Sequence, residues 1–270
     1  MRPESIETAA ALFVEARAGD KHMQGLPMEC VPETTGEGYL IQAAVAEQLS
    51  LKQVGWKLAA TNVSGQRHIG VNAPIIGRLY ADVVYDAPAT ILVRNNKMRV
   101  AEAEFTFKVG RDVPPVVNRT REQVIDFIDA LFPAIELPDS RFVDFIAAGG
   151  ASLAADNACA REFVLGEQVM GRWREIALDK YAVSVKVNGK PICSGTGADV
   201  LGDPREALTW MFNECGRLGI TLERDHIITT GVIGVPVPIV PGDHIHADFG
   251  ILGSVDVNLA DLIEKVDGNE

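Results

Sequence analysis

The sequence predicts an α+β fold, in which a helical N-terminal part precedes a mixed, rolled or barrel-like β-sheet. Helical spacing of apolar residues dominates the first fifty positions, whereas alternating strand patterns dominate the C-terminal half. The helices are spread unevenly between the strands, which argues against a doubly wound sheet. With 270 residues and 47% apolar content, the chain is long enough for one large domain or two small ones.

The N-terminal part begins with a predicted helix. Ser5 is placed to cap it, and it is expected to end before Gly19. A Gly-, Pro- and Thr-rich loop, a second helix, a strand and a mixed segment suited to an active-site loop follow at residues 25–36, 39–51, 54–59 and 61–74.

The central and C-terminal parts alternate between helices and strands. Thr120 opens a Thr-x-x-Gln capping box that predicts a helix over residues 124–132, which Pro133 is expected to end. Asp203, followed by proline, predicts the start of a helix that reaches about Leu218. Strands are predicted at residues 134–137, 181–187, 226–230, 244–249 and 254–259.

Composition narrows the classes of function. The formal net charge of −12 argues against nucleic acid or an anionic membrane surface as partner, although a small anionic substrate is compatible with a local cation. Four widely spaced cysteines without a CxxC pair indicate a reducing compartment, and the N-terminus lacks the apolar core of a signal peptide. We therefore expect a cytoplasmic protein. We divide it into residues 1–95 and residues 96–270, the metal-binding catalytic part, within one continuous structural unit.

The most informative motif is a pair of glutamates, Glu102 and Glu104, in a predicted strand. One face of this strand is apolar, with Ala101, Ala103, Phe105, Phe107 and Val109. Side chains two residues apart leave a strand in the same direction, about 6–7 Å apart, so both carboxylates can reach one cation. Without a cation they repel each other by roughly 3 kcal/mol at an effective dielectric near 20. The alternative is an ordinary solvated strand face.

Glu136 is the third candidate, because every neighbour in the segment Phe132–Pro138 is apolar. A lone charge in such a segment is costly to bury unless it is paired or bound to a metal. The alternative is a salt bridge to an arginine such as Arg141. Three carboxylates without His or Cys favour Mg²⁺ or Mn²⁺ over zinc.

Lys57 lies in the middle of the predicted strand 54–59, between apolar neighbours. Such a lysine can have a lowered pKa and act as acid or base, or it can simply lie on the polar face of its strand. Asp156 and Asn157, within a run of small residues, can bind substrate or organise a turn. His68 is the one histidine placed in the possible active-site segment.

In order and spacing, several blocks of residues resemble the 2-keto-4-pentenoate hydratase / 4-oxalocrotonate decarboxylase branch of the fumarylacetoacetate hydrolase superfamily. They span roughly residues 37–259. The blocks are Gly55–Thr61, Gly70–Pro74 with Gly77, Val100–Phe105, Pro133–Glu136 with Asp139–Arg141, Ala155–Ala158, and Pro241–Asp243 with Ala247–Gly250 and Leu252–Ser254.

This resemblance implies a mixed β-roll and a divalent metal, Mg²⁺ or Mn²⁺, held by Glu102, Glu104 and Glu136. It implies Lys57 as the catalytic residue that transfers protons. We add four candidate substrate-binding residues: Thr61, Asn62, Asp156 and Asn157. Members of this family are commonly homopentamers or decamers that act on 2-hydroxy-dienoates and 2-keto-enoates from aromatic ring cleavage.

Two departures from the family pattern affect the predicted reaction. Many hydratases carry Pro-Asp-Phe-Gly where this chain reads Pro74-Ile-Ile-Gly77, and Gly-Ser-x-Thr where it reads Gly231-Val-Ile-Gly234. We expect a hydratase that adds water to a small 2-hydroxy-dienoate or 2-keto-enoate, giving a 4-hydroxy-2-keto acid. The alternatives are a 2-keto acid decarboxylase, an acylpyruvate hydrolase with His68 activating water, and a non-catalytic paralogue.

Overall fold

The computed structural model describes residues 1–261, so the last nine residues of the predicted catalytic part lie outside it. The described helices are α1 (Pro3–Ala18), α2 (Thr35–Leu49), α3 (Val63–Ile69), α4 (Arg121–Ile125), α5 (Phe145–Ala155) and α6 (Pro204–Leu218). The strands are β1 (Gln53–Ala59), β2 (Ile75–Tyr80), β3 (Val84–Asp86), β4 (Ala89–Leu92), β5 (Val100–Val109), β6 (Ile128–Leu137), β7 (Glu162–Leu165), β8 (Ala182–Val187), β9 (Lys190–Thr196), β10 (Ile227–Val232), β11 (Val237–Pro238), β12 (His244–Asp248) and β13 (Ser254–Ala260).

The strands form two sheets. The larger sheet has the order β2-β1-β10-β5-β6-β7-β3, with β11 beside β5, and the smaller has the order β4-β13-β12-β8-β9. The larger sheet is mixed, because β1 pairs with β10 in parallel whereas β5 pairs with β6 antiparallel. The predicted α+β class, with a mixed sheet and a helical N-terminal part, is confirmed.

Strand β5 separates the main core from the other face of the larger sheet. The ring of Phe105 packs against Phe249 and Tyr181 at centroid distances of 5.4 and 6.4 Å, within the core that contains both sheets. Glu102 and Glu104 leave the strand on the opposite face. The alternative of a solvated strand face is wrong, because Glu104 is 0% exposed.

Helices α1, α2 and α5 share a second apolar cluster. Gln42 of α2 is buried and donates to the carbonyls of Ile76 in β2 and Ala154 in α5, each at 2.9 Å. These two hydrogen bonds join two helices that are far apart in the sequence to the edge strand of the larger sheet.

Several predicted boundaries are corrected by the structure. Ser5 lies inside α1 and is buried, so it does not cap the helix. The helix expected over 124–132 ends at Ile125, and Pro133 lies within β6, paired with Phe105. Nine of the ten residues of β6 are buried, so a strand covered on both faces is formed where the local capping box indicated a helix.

The mixed segment 61–74 also differs from prediction, because residues 63–69 form helix α3 with Asn62 as its N-cap. Strands from either side of residue 95 pair directly, as β1 does with β10 and β4 with β13. This pairing supports treating the chain as one structural unit. None of the described helices is long and apolar enough to cross a membrane.

Candidate metal centre

Strand register brings three carboxylates together. Glu102 and Glu104 lie two residues apart on β5, and Glu136 on β6 is directly opposite Glu102 in the antiparallel pair. One carboxylate oxygen from each lies within 4.8 Å of the others. The two predicted strands therefore place their acidic residues at a single point on one face of the sheet.

The cluster is buried and its charges do not balance. Glu104 and Glu136 are 0% exposed, and the one lysine among them, Lys57, is 2% exposed. Burial, reinforced by Glu136, raises the pKa of Glu102 to about 7, and the same causes raise the pKa of Glu104 well above its ordinary value. Because three carboxyl groups share one ammonium group, their full ionisation would leave a net negative charge, and a bound cation compensates it.

Unpartnered oxygens favour the same conclusion. Within residues 1–261, Glu104 Oε1 and Glu136 Oε2 are buried and accept no hydrogen bond. A buried carboxylate oxygen without a partner is costly, and such atoms are rare unless an ion or water satisfies them. Three carboxylates, without a nitrogen or sulfur ligand, suit a hard divalent cation that prefers oxygen.

The orientation of Glu104 depends on two residues that the sequence did not reveal. Thr229 Oγ1 and the Gly231 N–H, at 2.9 Å, both donate to Glu104 Oε2. Gly231 has φ +100°, and a Cβ there would lie 2.1 Å from Thr61 Oγ1. Thr229 sits opposite Lys57 in the parallel pair of β10 with β1, and no local pattern predicts that register.

Lys57 is held rigidly by β1. Its Nζ lies 3.1 Å from Glu136 Oε1 and donates to the carbonyl of Ala158 at 3.0 Å. Burial by itself would lower the pKa of Lys57, but the charges of Glu136, Glu102 and Glu104 outweigh it and raise that pKa. The pKa of Lys57 in the metal-free site is therefore raised and not lowered as predicted, and Lys57 lies buried on the face of the sheet that carries the carboxylates.

A cavity of about 450 Å³ opens beside the carboxylates. Lys57, Glu102, Thr61 and Asn62 line it, so the first two predicted substrate-binding residues face the space next to the cluster. Asn62 also caps α3, because its side chain accepts the Gly65 N–H at 2.8 Å.

Asp156 and Asn157, the other two predicted substrate-binding residues, do not line this cavity. The Asp156 carboxylate accepts from the Ser140 hydroxyl at 2.6 Å, the Arg141 N–H at 2.9 Å and the Arg141 guanidinium. The geometry thus supports the alternative role of Asp156, organising a turn. It also shows that Arg141 pairs with Asp156, so the alternative pairing of Arg141 with Glu136 is wrong.

Asn157 acts like an extra strand residue along β2. Its side chain accepts the Arg78 N–H at 2.6 Å and donates to the Arg78 carbonyl at 2.9 Å. The next residue, Ala158, carries the carbonyl that binds Lys57. Asn157 therefore acts on the site indirectly. Its side chain is fixed to β2, and the residue next to it, Ala158, carries the carbonyl that accepts the hydrogen bond of Lys57.

The two departures from the family pattern both face the site region. Ile75 and Val232 line the cavity with hydrocarbon, and Val232 lies opposite Glu104 in the pairing of β10 with β5. The second loop is anchored by Asp199, whose carboxylate accepts the Gly234 N–H at 2.9 Å. Sequence reasoning missed Asp199, because it lies 35 positions before Gly234 and no local signal connects the two.

His68 also lines the cavity, where its ring packs against Phe145 at 5.8 Å. The histidine–carboxylate pairs within residues 1–261 involve His22, His226, His244 and His246. The His/Glu pair that a water-activating hydrolase requires is therefore not formed by His68 in this structure.

The fold and the sequence are similar to those of known proteins. A 2-keto-4-pentenoate hydratase from Paraburkholderia xenovorans (strain LB400) is 29% identical over 258 residues, covering 94% of this chain and 95% of that protein. Another from Paraburkholderia phymatum is 30% identical over 257 residues, covering 93% and 95%. The solved 4-oxalocrotonate decarboxylase from Pseudomonas putida G7, complexed with magnesium and adipate, has a TM-score of 0.86 at 26% identity, covering 96% of this chain and 98% of that one.

More distant structures share the fold. Fumarylpyruvate hydrolase from Pseudomonas aeruginosa, in complex with Mn²⁺ and pyruvate, has a TM-score of 0.60 at 12% identity and covers 77% of this chain and 90% of that one. The family model for the fumarylacetoacetate (FAA) hydrolase C-terminal region matches residues 54–260. The β-roll and the family predicted from sequence are confirmed. The chain belongs to the fumarylacetoacetate hydrolase family, in the branch of the 2-keto-4-pentenoate hydratases.

Proposed function

We propose that this chain is a divalent-metal-dependent hydratase, a hydro-lyase that adds water to a small 2-hydroxy-dienoate or 2-keto-enoate in the catabolism of aromatic compounds. The product is a 4-hydroxy-2-keto acid. The observation that carries the proposal is the buried, under-partnered carboxylate cluster at the end of a cavity, in a chain whose relatives are named hydratases.

Glu102, Glu104 and Glu136 are the proposed ligands of Mg²⁺ or Mn²⁺. Similar structures contain magnesium, calcium or manganese, which agrees with an oxygen-only donor set. When bound, the metal supplies a Lewis acid that stabilises negative charge on the keto oxygen of the substrate. Thr229 and Gly231 hold Glu104 in the orientation that leaves its Oε1 free.

Lys57 is the proposed proton donor. In the metal-free site its raised pKa keeps Nζ protonated, and its bond to the Ala158 carbonyl directs the ammonium group toward the cluster. With the carboxylate charges compensated by a bound cation, the Lys57 proton would be easier to transfer. Lys57 would then deliver a proton to a carbon of the dienol while the enol hydroxyl gives one up, and the net change is the ketonisation that precedes water addition.

Thr61 and Asn62 are the proposed polar contacts for substrate, because both line the cavity beside Glu102. Asn62 keeps its side-chain amide N–H groups available, since its carbonyl oxygen is the atom that caps α3. We retain no direct substrate role for Asp156 and Asn157. Their proposed contribution is to position the Ala158 carbonyl and, through it, Lys57.

A 2-keto acid decarboxylase is the second candidate function. The observation in its favour is the similarity to the 4-oxalocrotonate decarboxylase over 96% of this chain. In both reactions the acid group of the substrate binds at the same cluster, so the site alone does not distinguish them. The products do, because only decarboxylation releases carbon dioxide. An acylpyruvate hydrolase is less well supported, because His68 packs against Phe145 without a carboxylate partner among its described contacts.

We also propose a homo-oligomer, a pentamer or decamer, located in the cytoplasm. The assembly follows from the family resemblance alone. The location is supported by the cysteines: all four are free, and Cys30, Cys159 and Cys215 are buried. Burial raises the pKa of the Cys159 and Cys215 thiols to about 12, which keeps them unreactive.

One experiment tests the proposed function. Purified protein, with and without Mg²⁺, is given 2-hydroxypenta-2,4-dienoate, 4-oxalocrotonate or an acylpyruvate, while ultraviolet absorbance and carbon dioxide are followed. We expect Mg²⁺-dependent loss of the dienoate without carbon dioxide release. Glu104→Gln should abolish this activity, and Glu175→Gln, at an exposed surface salt bridge, should retain it.

Two results would contradict the proposal. Carbon dioxide release from 4-oxalocrotonate without hydration of the dienoate would establish the decarboxylase instead. No turnover of any substrate, together with unchanged Mg²⁺ binding by Glu104→Gln, would reject the enzymatic assignment and the metal site with it.

A further inference from the structure

The face of the larger sheet that carries the carboxylates changes character along its strands. On β5 the residues on this face run from Glu104 and Glu102 to Val100 and, just before the strand, Met98. On β6 the step after Glu136 is Pro138. Each step of two residues covers about 6–7 Å. Glu102 and Lys57 therefore line the cavity where it adjoins the carboxylate cluster, and hydrocarbon forms the next row of side chains.

Apolar residues from other elements complete this second region, which we call the apolar end of the cavity. It comprises Ile75 of β2, Val100 of β5 with Met98 just before it, and Phe145 and Leu153 of α5. The residues come from three separate parts of the sequence, so the apolar end is produced by the tertiary fold.

Positive charge is confined to the carboxylate end. Among residues 1–261, Lys57 is the single lysine or arginine that lines the cavity, and its Nζ is already held by Glu136 and Ala158. His68 packs its ring against Phe145. A carboxylate placed at the apolar end would therefore lose its hydration without gaining a guanidinium or ammonium partner.

The volume of the cavity bears on the length of the ligand. About 450 Å³ lies in the range of pockets that bury ligands much larger than a five-carbon acid. A small keto acid bound at the carboxylate end would leave most of the apolar end filled with water. A hydrocarbon tail displaces that water and gains the hydrophobic contribution of each buried methylene.

We propose that the substrate of this chain carries a neutral, apolar substituent of several carbons at the end remote from its 2-keto acid group, and that a carboxylate in that place is rejected. The inference rests on the proposed function, because the carboxylate cluster and Lys57 define where the keto acid group lies. It selects, within the unsaturated 2-keto acids, monocarboxylates with an extended tail.

Saturated 2-oxo acids test this inference by binding alone, since they lack the double bond that hydration requires. The Mg²⁺-loaded protein is titrated calorimetrically with pyruvate, 2-oxohexanoate, 2-oxooctanoate and 2-oxoadipate. We expect affinity to rise about two- to four-fold for each methylene added beyond pyruvate. 2-Oxoadipate and 2-oxohexanoate have the same number of carbons, and we expect the dicarboxylate to bind at least ten-fold more weakly.

Met98→Arg tests the role of charge at the apolar end. The backbone N–H of Met98 is held by Asp139 Oδ1 at 3.1 Å, so the new side chain starts from a fixed position. We expect the ratio of 2-oxoadipate to 2-oxohexanoate affinity to rise at least ten-fold in Met98→Arg. Met98→Leu, the matched control, should keep the ratio of the unmodified protein.

The outcomes separate this inference from the proposed function. Equal or tighter binding of 2-oxoadipate in the unmodified protein, no gain in affinity with chain length, or no binding of any 2-oxo acid would overturn the inference. If His68→Leu removed tight 2-oxoadipate binding, His68 would be identified as an anion site instead. The expected binding order without turnover of any dienoate would uphold the inference on the cavity and reject the hydratase.

Discussion

Two clusters of buried charge in this molecule differ in how completely they are paired. Around Asp156, one carboxylate faces one guanidinium, and Arg141 directs its remaining donors to the carbonyls of Ala160 and Asp156 at 2.9 and 2.6 Å. Around Glu136, three carboxylates face one lysine, and two oxygens have no partner within residues 1–261.

The difference shows that burial of charge alone does not identify a functional site. Asp156 and Glu136 are buried to the same degree, at 1% and 0% exposed, and each lies among small or apolar neighbours. The Asp156 cluster is neutral and its hydrogen bonds are satisfied, as a structural cluster requires. In the Glu136 cluster, full ionisation of the three carboxyl groups would leave negative charge that one lysine does not neutralise, which is the property expected of a cation site.

The largest expected effect comes from removing the charge of Asp156 from the paired cluster. Asp156→Asn leaves the buried Arg141 guanidinium without a counter-charge, so we expect the free energy of unfolding to fall by about 3–5 kcal/mol. Urea denaturation measures this loss. Glu175→Ala, which breaks the exposed pair with Arg172, should change stability by roughly 0–1 kcal/mol. A loss for Asp156→Asn as small as that of this control would contradict the structural role.

The matching removal of charge from the other cluster, at Glu136, should weaken metal binding strongly while changing the free energy of unfolding little. Glu136→Gln relieves the crowding of three carboxyl groups, and Glu102 and Glu104 remain to balance Lys57, so we expect the metal-free protein to unfold within about 1 kcal/mol of the unmodified one. Loss of a ligand should weaken Mg²⁺ binding by more than about 100-fold, beyond the usual effect of an outer-shell change. Calorimetric titration measures the affinity, and an unchanged dissociation constant would reject Glu136 as a ligand.

A smaller effect is expected from the hydroxyl that orients Glu104. Thr229→Val keeps the shape of the side chain but removes its hydrogen bond, and we expect metal affinity to fall by about 10–100-fold. Thr230→Val is the matched control, because Thr230 lies on the same strand as Thr229. Its hydroxyl donates to the Phe105 carbonyl and to no carboxylate of the cluster. Similar losses in both variants would mean that the effect is on the strand and not on Glu104.

The smallest effect is a dependence on pH. Burial, with Glu136 adding to it, raises the pKa of Glu102 to about 7, and metal competes with the proton. Metal affinity should therefore fall by up to about ten-fold per pH unit below 7 on account of this group. In the metal-free protein, folded Glu102 holds its proton more tightly than unfolded Glu102, so its contribution to stability decreases as pH rises from about 4.5 to 7.

Glu102→Gln provides the control for this titration. It removes the group, so the pH dependence of metal-free stability between 4.5 and 7 should become shallower. Stability measured by urea denaturation at several pH values checks the sign. If Glu102→Gln instead made the stability of the metal-free protein depend more steeply on pH, Glu102 would not titrate as expected.

The sequence alone determined the features that depend on neighbouring residues. Alternation placed Glu102 and Glu104 on one face of a strand and Phe105 on the other, as β5 shows. Asp203 was predicted to open the helix to Leu218, and it caps α6 with its side chain. The ordered blocks of residues were sufficient to predict the family and, with it, the fold.

Only the tertiary structure decided which distant residues meet, because strand pairing and register are set by packing over the whole sheet. The pairing of β5 with β6 places Glu136 opposite Glu102, and that of β1 with β10 places Lys57 beside Thr229. The capping box does open α4, but the same packing made a strand of residues 128–137 after it, because both faces of that strand are buried. The same packing pairs Arg141 with Asp156. Glu136 therefore has Lys57 as its ion-pair partner, and its other oxygen has no partner within residues 1–261.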